Sequence, residues 1–152
     1  MPVEKITPVL NVNDIGQSFE WFEKFGWLRS FSWNSEGLIG EGPDCAAENE
    51  HGPAGFGGVC QGDATIFLCR GGQGSQGSRM PSKPGADDTD GVWMTWWLGS
   101  KQEVDEFHET AVKNDFIVTW PPTNEPWGVR EFHLRHPDGH MFRVSCGLDD
   151  ES

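Results

Sequence analysis

The sequence predicts an α+β fold in which paired βαβββ modules form curved mixed sheets around a cleft, with the helices on the outer faces. A strand, a helix cap and a helix occur twice in this order, and the two caps, Asp14 and Ser100, lie about 86 residues apart. Short segments rich in β-branched and aromatic residues follow each helix, as expected for strands. A polar segment rich in Gly, Ser and Pro separates the halves. We therefore expect a first module at 1–70, a linker at 71–91 and a second module at 92–152, within one compact domain.

The first module is predicted to begin with a strand and a capped helix. TPVLNV (7–12) alternates and is rich in β-branched residues, which favours a strand. Asp14 is the predicted N-cap, and Gln17 follows three residues later as in a variant capping box. Gly26 is expected to end the helix. The apolar face of the helix is predicted from Ile15, Phe19, Phe22 and Phe25.

Two strands and one irregular segment are expected in the rest of the first module. Residues 27–33 and the compact run ATIFLC (64–69) are typical of strands. Between them, residues 34–62 contain many glycines and show no clear period. We therefore expect a loose connection there.

The second module repeats the pattern. VWMTWWL (92–98) is aromatic and predicts a strand, and Ser100 with Glu103 forms an S-x-x-E capping box. FIVTW (116–120) predicts the next strand, and PPTNEP after it indicates a rigid turn region. The apolar face of the second helix is predicted from Val104, Phe107 and Ala111.

The segment VREFHLRHPDGHMFRVS predicts a β-hairpin with a defined register. Its Pro-Asp-Gly loop is typical of a type I turn followed by a glycine bulge, which pairs His133 with Arg143. His136 and His140 flank the turn and are expected at the rim. One face is then apolar, with Phe132, Leu134, Phe142 and Val144. The other face carries Glu131, His133, Arg135, Met141, Arg143 and Ser145.

Large aromatic side chains alternate on the neighbouring strands as well. Trp93, Thr95 and Trp97 share one face of their strand, and Thr65, Phe67 and Cys69 share one face of theirs. A half-polar sheet face is often simply solvated. Aromatic side chains of this size are seldom left on an open face, so a ligand cleft is the favoured interpretation.

The charge of the chain limits its partners. Twenty-four acidic residues against 11 basic ones give a net charge of −13. Nucleic acids and anionic membranes are disfavoured, because both are bound through Lys and Arg. The charge suits a cationic ligand or partner, and it equally suits simple solubility.

The cysteines and the hydropathy pattern indicate a reduced, cytoplasmic protein. Four cysteines occur without a C-x-x-C motif. We expect no signal peptide, and no run of about 18 apolar residues predicts a membrane span. The cysteines are expected to act as small hydrophobic residues.

These segments together resemble the glyoxalase/bleomycin resistance/dioxygenase superfamily, also called vicinal oxygen chelate proteins. The resemblance covers both modules. It is carried by TPVLNVNDIGQSFEWFEKFGW, GDATIFLC, WMTWWL and EPWGVREFHLRHPDGHMFRV. The last, with its pattern E-P-W-G-x-R-E-F-x-L-R-x-P-x-G, is similar to the bleomycin resistance branch. The resemblance implies paired βαβββ modules and a homodimer.

In enzymes of this superfamily, a divalent metal is held on the concave sheet faces. The matching positions in this chain hold Thr7, Phe67, Trp93 and Arg143. Zinc, nickel and iron prefer imidazole, carboxylate or thiolate ligands, and the fixed charge of Arg143 repels a dication. We therefore expect no metal, no cofactor and no catalytic residue.

The histidines offer alternatives to this expectation. His133, His136 and His140 lie on one hairpin, so a metal site there is one alternative. A hydrogen-bonding or ligand-contacting His133, with Glu131 as its nearest partner, is favoured over it. A plain surface histidine is the third possibility.

The leading hypothesis is a binding protein that sequesters a cationic aromatic compound of the bleomycin type. Aromatic walls would stack on planar rings and acidic residues would attract the positive charge. The expected ligand contacts are Trp33, Phe56, Phe67, Trp93, Thr95, Trp97, Trp127, Glu131, His133 and Arg143. Further charge contacts are expected from Glu125, Asp63 and Asp149.

Core packing is the alternative for each tryptophan, and Trp21 and Trp96 are assigned to it. The alternative function is an enzyme, either a metal-dependent lyase or dioxygenase with displaced ligands, or a metal-free one using His133 and Glu131 as acid and base. A third class is a small protein-interaction module with an acidic surface.

Overall fold

The structure is a computed structural model that describes residues 2–74 and 92–148. The chain divides into two compact units, Met1–Ser75 and Gln76–Ser152. Most of the expected linker lies outside the described residues, so the linker and the single-domain arrangement stay predictions. No helix in the described ranges has the length and apolar character needed to cross a membrane.

The first unit is a five-stranded sheet with one helix. Its elements are β1 (Val9–Asn11), α1 (Ile15–Glu23), β2 (Leu28–Asn34), β3 (Gly37–Glu41), β4 (Glu48–Asn49), β5 (Gly52–Pro53), β6 (Phe56–Gln61) and β7 (Ala64–Cys69). The strand order is β1-β7-β6-β2-β3. β1 runs parallel to β7, and the other neighbours are antiparallel. β4 and β5 form a separate two-stranded ladder.

The second unit repeats this topology with four strands. Its elements are β8 (Trp93–Trp97), α2 (Lys101–Lys113), β9 (Ile117–Glu125), β10 (Val129–Arg135) and β11 (Met141–Gly147). The order is β8-β11-β10-β9, and β8 runs parallel to β11. In both units the first strand lies beside the last one and the helix connects the first two main strands. The predicted α+β fold with two βαβββ modules is confirmed, and in the first unit β3 adds a fifth strand at the edge of the sheet.

Both predicted helix caps are confirmed. Asp14 Oδ1 accepts a hydrogen bond of 2.8 Å from the Gln17 amide. Ser100 Oγ accepts one of 3.2 Å from the Glu103 amide, and Glu103 Oε1 accepts one of 2.8 Å from the Gly99 amide. The Ser100 and Glu103 side chains therefore each accept a hydrogen bond from a backbone amide at the start of α2. In the usual capping box the carboxylate accepts from the amide of the cap residue, whereas here it accepts from the residue before the cap, Gly99.

The expectation of a loose segment at 34–62 is wrong. The structure places β3, β4, β5 and β6 in it. The glycines of β6 have no side chains, so the alternation of buried and exposed residues that marks a strand is not visible in the sequence. Close packing requires glycine at two of these positions. A Cβ on Gly57 would lie 3.0 Å from Phe19 Cζ on α1, and one on Gly58 would lie 2.6 Å from Phe31 Cε1. Only glycine lets the helix and this aromatic ring approach the strand so closely.

The predicted turn at PPTNEP is also wrong, because β9 continues through it to Glu125. β9 is an edge strand, where a proline costs no ladder hydrogen bond on its outer side. Trp120 lies opposite His133 and Thr123 lies opposite Glu131, with a register shift between them. Pro121 and Pro122 lie at this register shift, between Trp120 and Thr123.

In each unit one face of the sheet packs against its own helix. In the second unit, Trp96 of β8 lies 4.6 Å from Phe142 and 6.4 Å from Phe107 of α2, between ring centroids. The four apolar residues of the hairpin, Phe132, Leu134, Phe142 and Val144, are fully buried on this face. Trp21 and Trp96 are buried, as expected. The opposite face of each sheet is the one on which the sequence places its candidate ligand contacts.

Candidate functional site

The predicted register of the hairpin is confirmed, and it sets the geometry of the site. His133 lies opposite Arg143 and Arg135 lies opposite Met141. The His136 amide donates to the His140 carbonyl at 2.8 Å, and Gly139 takes a φ of +98°. This turn places Glu131, His133, Arg143 and Ser145 together on the face away from α2.

A buried carboxylate lies at the centre of this face. Glu131 is 1% exposed and accepts hydrogen bonds from Arg143 Nη2 at 3.0 Å and 3.2 Å, one to each of its oxygens. Arg143 Nε donates to Oε1 at 3.2 Å, and Ser145 Oγ donates to Oε1 at 2.8 Å. His133 Nε2 lies 3.3 Å from Oε2. The carboxylate is therefore surrounded by partners on both oxygens.

These partners also keep Glu131 ionised. Burial raises the pKa of Glu131, but hydrogen bonds from Ser145, Arg143 and His133, together with the charge of Arg143, outweigh it and hold the pKa below its usual value. The charge of Glu131 is thus balanced inside the protein by Arg143.

His133 is held between aromatic rings. Its ring centroid lies 5.6 Å from that of Trp93 in an edge-to-face arrangement and 6.3 Å from that of Trp120. Trp120 is itself fixed, because its Nε1 donates to Glu125 Oε2 at 2.8 Å. Trp120 was not predicted as a site residue, although its place in the aromatic run FIVTW was a signal.

A pocket of about 540 Å³ opens on this face. It is lined by Trp93, Trp127, Glu131, His133 and Arg143. Trp127 is 61% exposed, and the Arg143 side chain is 36% exposed. This volume suits a small molecule, and a mainly aromatic wall with a few polar groups is the usual composition of such sites.

The structure brings five of the ten expected ligand contacts together in this pocket. Two more lie on the same face of β8, where Thr95 pairs with Arg143 and the exposed Trp97 pairs with Ser145. The remaining three belong to the first unit. Phe56 and Phe67 lie on the face away from α1, where they pack with Phe31, and Trp33 is the neighbour of Phe56 across the strands.

Phe31 was missed, although it alternates with Trp33 on β2. Of the expected charge contacts, Glu125 is engaged with Trp120 and Asp63 is exposed at the β6–β7 turn. Asp149 lies outside the described residues.

The expectation that His136 and His140 lie at the rim is wrong. They are 1% and 0% exposed, and their ring centroids are 5.7 Å apart. His136 Nδ1 accepts a hydrogen bond of 3.0 Å from the Asp138 amide, so the turn folds over its own histidine. Burial, followed by the charge of His140, lowers the pKa of His136 to about 3. A histidine can be either polar or core-forming, and sequence alone did not decide between these roles.

The residues at the four positions that match metal ligands of the superfamily do not fit a divalent metal. Thr7, Phe67 and Trp93 offer no strong metal ligand, and Arg143 adds a positive charge. Glu131 is the carboxylate of the pocket and is already bound to Arg143. Among residues 2–74 and 92–148, no group of three or more His, Cys, Asp or Glu side chains is placed to hold a metal ion.

Solved structures similar to this chain share its fold over nearly their whole length. TioX from Micromonospora sp. ML1 is 17% identical with a TM-score of 0.66, covering 96% of this chain and 100% of its own. The fosfomycin resistance protein FosX from Listeria monocytogenes is 14% identical with a TM-score of 0.63, covering 99% and 98%. A bleomycin-binding protein complexed with bleomycin is 16% identical with a TM-score of 0.58, covering 95% and 99%. At these identities the likeness shows the fold alone.

The family comparison covers most of the sequence. No curated protein matches the chain. Residues 5–144 match the family described as the Glyoxalase/Bleomycin resistance protein/Dioxygenase superfamily, and this range includes both modules and the hairpin. The chain belongs to the glyoxalase/bleomycin resistance protein/dioxygenase superfamily.

Proposed function

We propose that this protein binds and sequesters an aromatic small molecule without the help of a metal. The pocket with Trp93 and Trp127 in its wall, and with a donor set unsuited to a dication, carries this proposal. An exposed tryptophan beside a partly apolar pocket offers a planar surface for a ring, and such ring contacts contribute about 1 kcal/mol beyond the area they bury.

The proposed ligand is a cationic aromatic compound of the bleomycin type. The likeness to a bleomycin-binding protein supports this choice at the level of the fold. The net charge of −13 would attract a cation to the surface and raise its rate of association. Glu131 contributes little to this attraction, because Arg143 already balances its charge.

The rest of the site and the assembly belong to the same proposal. Thr95 and Trp97 would extend the contact along β8. Trp33, Phe56 and Phe67 are proposed as ligand contacts on the aromatic face of the first unit's own sheet. We also propose a homodimer acting in the cytoplasm. Sedimentation of the protein over a range of concentrations tests the dimer, and a monomer throughout that range would contradict it.

Titration of chelator-treated protein with metal-free bleomycin, followed by tryptophan fluorescence, tests the function. We expect saturable quenching of the tryptophan fluorescence. Trp127→Ala should weaken binding and raise the Kd by about tenfold. Ile117→Ala is the matched control, because Ile117 is 51% exposed in the same unit and does not line the pocket. Equal affinity in both variants would contradict the placement of the ligand, and no quenching in the wild type would contradict the function.

A metal-free enzyme is the second candidate, and one contact favours it. Glu131 Oε2 lies 3.3 Å from His133 Nε2, the arrangement in which a carboxylate orients an imidazole for proton transfer. Mass spectrometry of the bound compound after prolonged incubation separates the two functions. Sequestration returns the compound unchanged, whereas an enzyme alters it.

A further inference from the structure

Arg143 uses only part of its hydrogen-bonding capacity inside the protein. Its Nε and Nη2 atoms donate to Glu131 at 3.0 Å to 3.2 Å. A guanidinium has further N–H groups on its other terminal nitrogen. Within the described ranges Nη1 donates to no protein group. These N–H groups remain for a ligand.

The guanidinium is also held in a fixed orientation. Both carboxylate oxygens of Glu131 accept hydrogen bonds from it, and Ser145 Oγ donates to Oε1 of the same carboxylate at 2.8 Å. A two-point contact fixes the plane of the arginine fork as well as its position. The unused donors are therefore ordered before a ligand arrives, which lowers the entropy lost on binding.

This side chain faces the pocket from the middle of the sheet. Arg143 lies on β11, between Thr95 of β8 and His133 of β10. It lines the pocket together with Trp93 and Trp127 and is 36% exposed. A planar ring against the tryptophans would bring its substituent close to the guanidinium.

The floor of the pocket discriminates between kinds of substituent. An ammonium group would be repelled by Arg143, and it would find the oxygens of Glu131 occupied by Arg143, Ser145 and the nearby His133. A carboxylate or carbonyl oxygen would instead accept the unused N–H groups. Charge-assisted bonds of this kind are about twice as strong as neutral ones.

We propose that the pocket selects aromatic ligands that carry an oxygen acceptor, a carboxylate or an amide carbonyl, and that this oxygen binds Arg143. The inference rests on the proposed function, because it concerns the same pocket. It adds to that function the orientation of the ligand in the pocket. The oxygen acceptor lies on the floor beside Arg143, and any positive charge of the ligand points away from the guanidinium, because like charges repel each other.

Three probes that share one ring test this selection. 2-Naphthoate, 2-naphthamide and 2-naphthylmethylamine are titrated by calorimetry into the chelator-treated full chain at low ionic strength. We expect the naphthoate to bind about tenfold or more tighter than the amine, with the amide between them. A ranking of naphthoate above the amide identifies a carboxylate as the preferred group, and equal binding of these two identifies a carbonyl oxygen. Both outcomes support the proposal.

The Arg143→Lys variant tests the role of the arginine fork. Lysine keeps a positive charge next to Glu131, so the fold is retained, but it loses the fixed fork. We expect the preference for naphthoate over the amine to fall to within about threefold. Trp127→Ala should weaken all three probes by a similar factor, and Ile117→Ala should change none.

Equal affinity for the three probes, or tightest binding of the amine, would overturn the inference. A bleomycin titration of the same sample separates failure of this inference from failure of the proposed function. If bleomycin binds and the acceptor preference is absent, the inference alone is wrong. If neither bleomycin nor any probe binds, the proposed function is wrong and the inference falls with it.

Discussion

The ion pair between Glu131 and Arg143 makes a strong prediction about stability. Arg143→Gln would leave the buried Glu131 carboxylate with Ser145 and His133 as its remaining side-chain partners. Removing one partner of a fully buried pair costs about 3 to 5 kcal/mol. Arg143 is 36% exposed, so water compensates for part of that loss, and we expect about 2 kcal/mol. Glu131→Gln should cost a similar amount.

A double-mutant cycle isolates the contact itself. Because the double variant leaves no unpaired charge, its loss of stability should be smaller than the sum of the two single losses by about 1 kcal/mol or more. Urea denaturation measures all four proteins. The more exposed pair Arg130 and Asp105, 2.8 Å apart, is the matched control, and its coupling should stay below about 1 kcal/mol. Additive losses at Glu131 and Arg143 would refute the reasoning that the carboxylate depends on this partner.

Acidity and glycine packing give two further predictions. His136 has a pKa of about 3 when folded against a usual 6.5, so the unfolded state binds more protons below pH 6.5 and the free energy of unfolding should fall as the pH drops. The loss should approach about 1.4 kcal/mol per pH unit between pH 6 and pH 4, measured by urea denaturation, and a flat profile would contradict it. Gly58→Ala should destabilise by about 1 to 3 kcal/mol, because its Cβ would lie 2.6 Å from Phe31, whereas Gly55→Ala, with no atom within 4 Å, is the control. Equal thermal stability of these two variants would contradict the packing argument.

The sequence predicted the hairpin and both helix starts because local chemistry decides them. The Pro-Asp-Gly turn fixes the loop length, and the alternation on either side then fixes which side chains share a face. The alternation therefore predicts that Glu131, His133 and Arg143 share one face of the hairpin. It did not predict the direct bond between Glu131 and Arg143, which runs diagonally across the strand pair.

Other parts of the structure depend on packing that the sequence pattern conceals. β6 was missed because Gly57 and Gly58 replace the side chains that would show a period of two. β9 was cut short because Pro121 and Pro122 usually end a strand, and their tolerance depends on the strand lying at an edge. The burial of His136 depends on how the turn folds back over its own ring. In each case a tertiary contact overrides the local signal.

The most direct test of metal-independent sequestration is a calorimetric titration with metal-free bleomycin of the protein as purified and of the same protein after treatment with a chelator. The account predicts a saturable heat with a Kd in the micromolar range or below, roughly one ligand per chain, and the same Kd before and after treatment with a chelator. Binding that disappears on chelation and returns with an added divalent metal would contradict it. That result would favour the metal-dependent activities of the superfamily over sequestration.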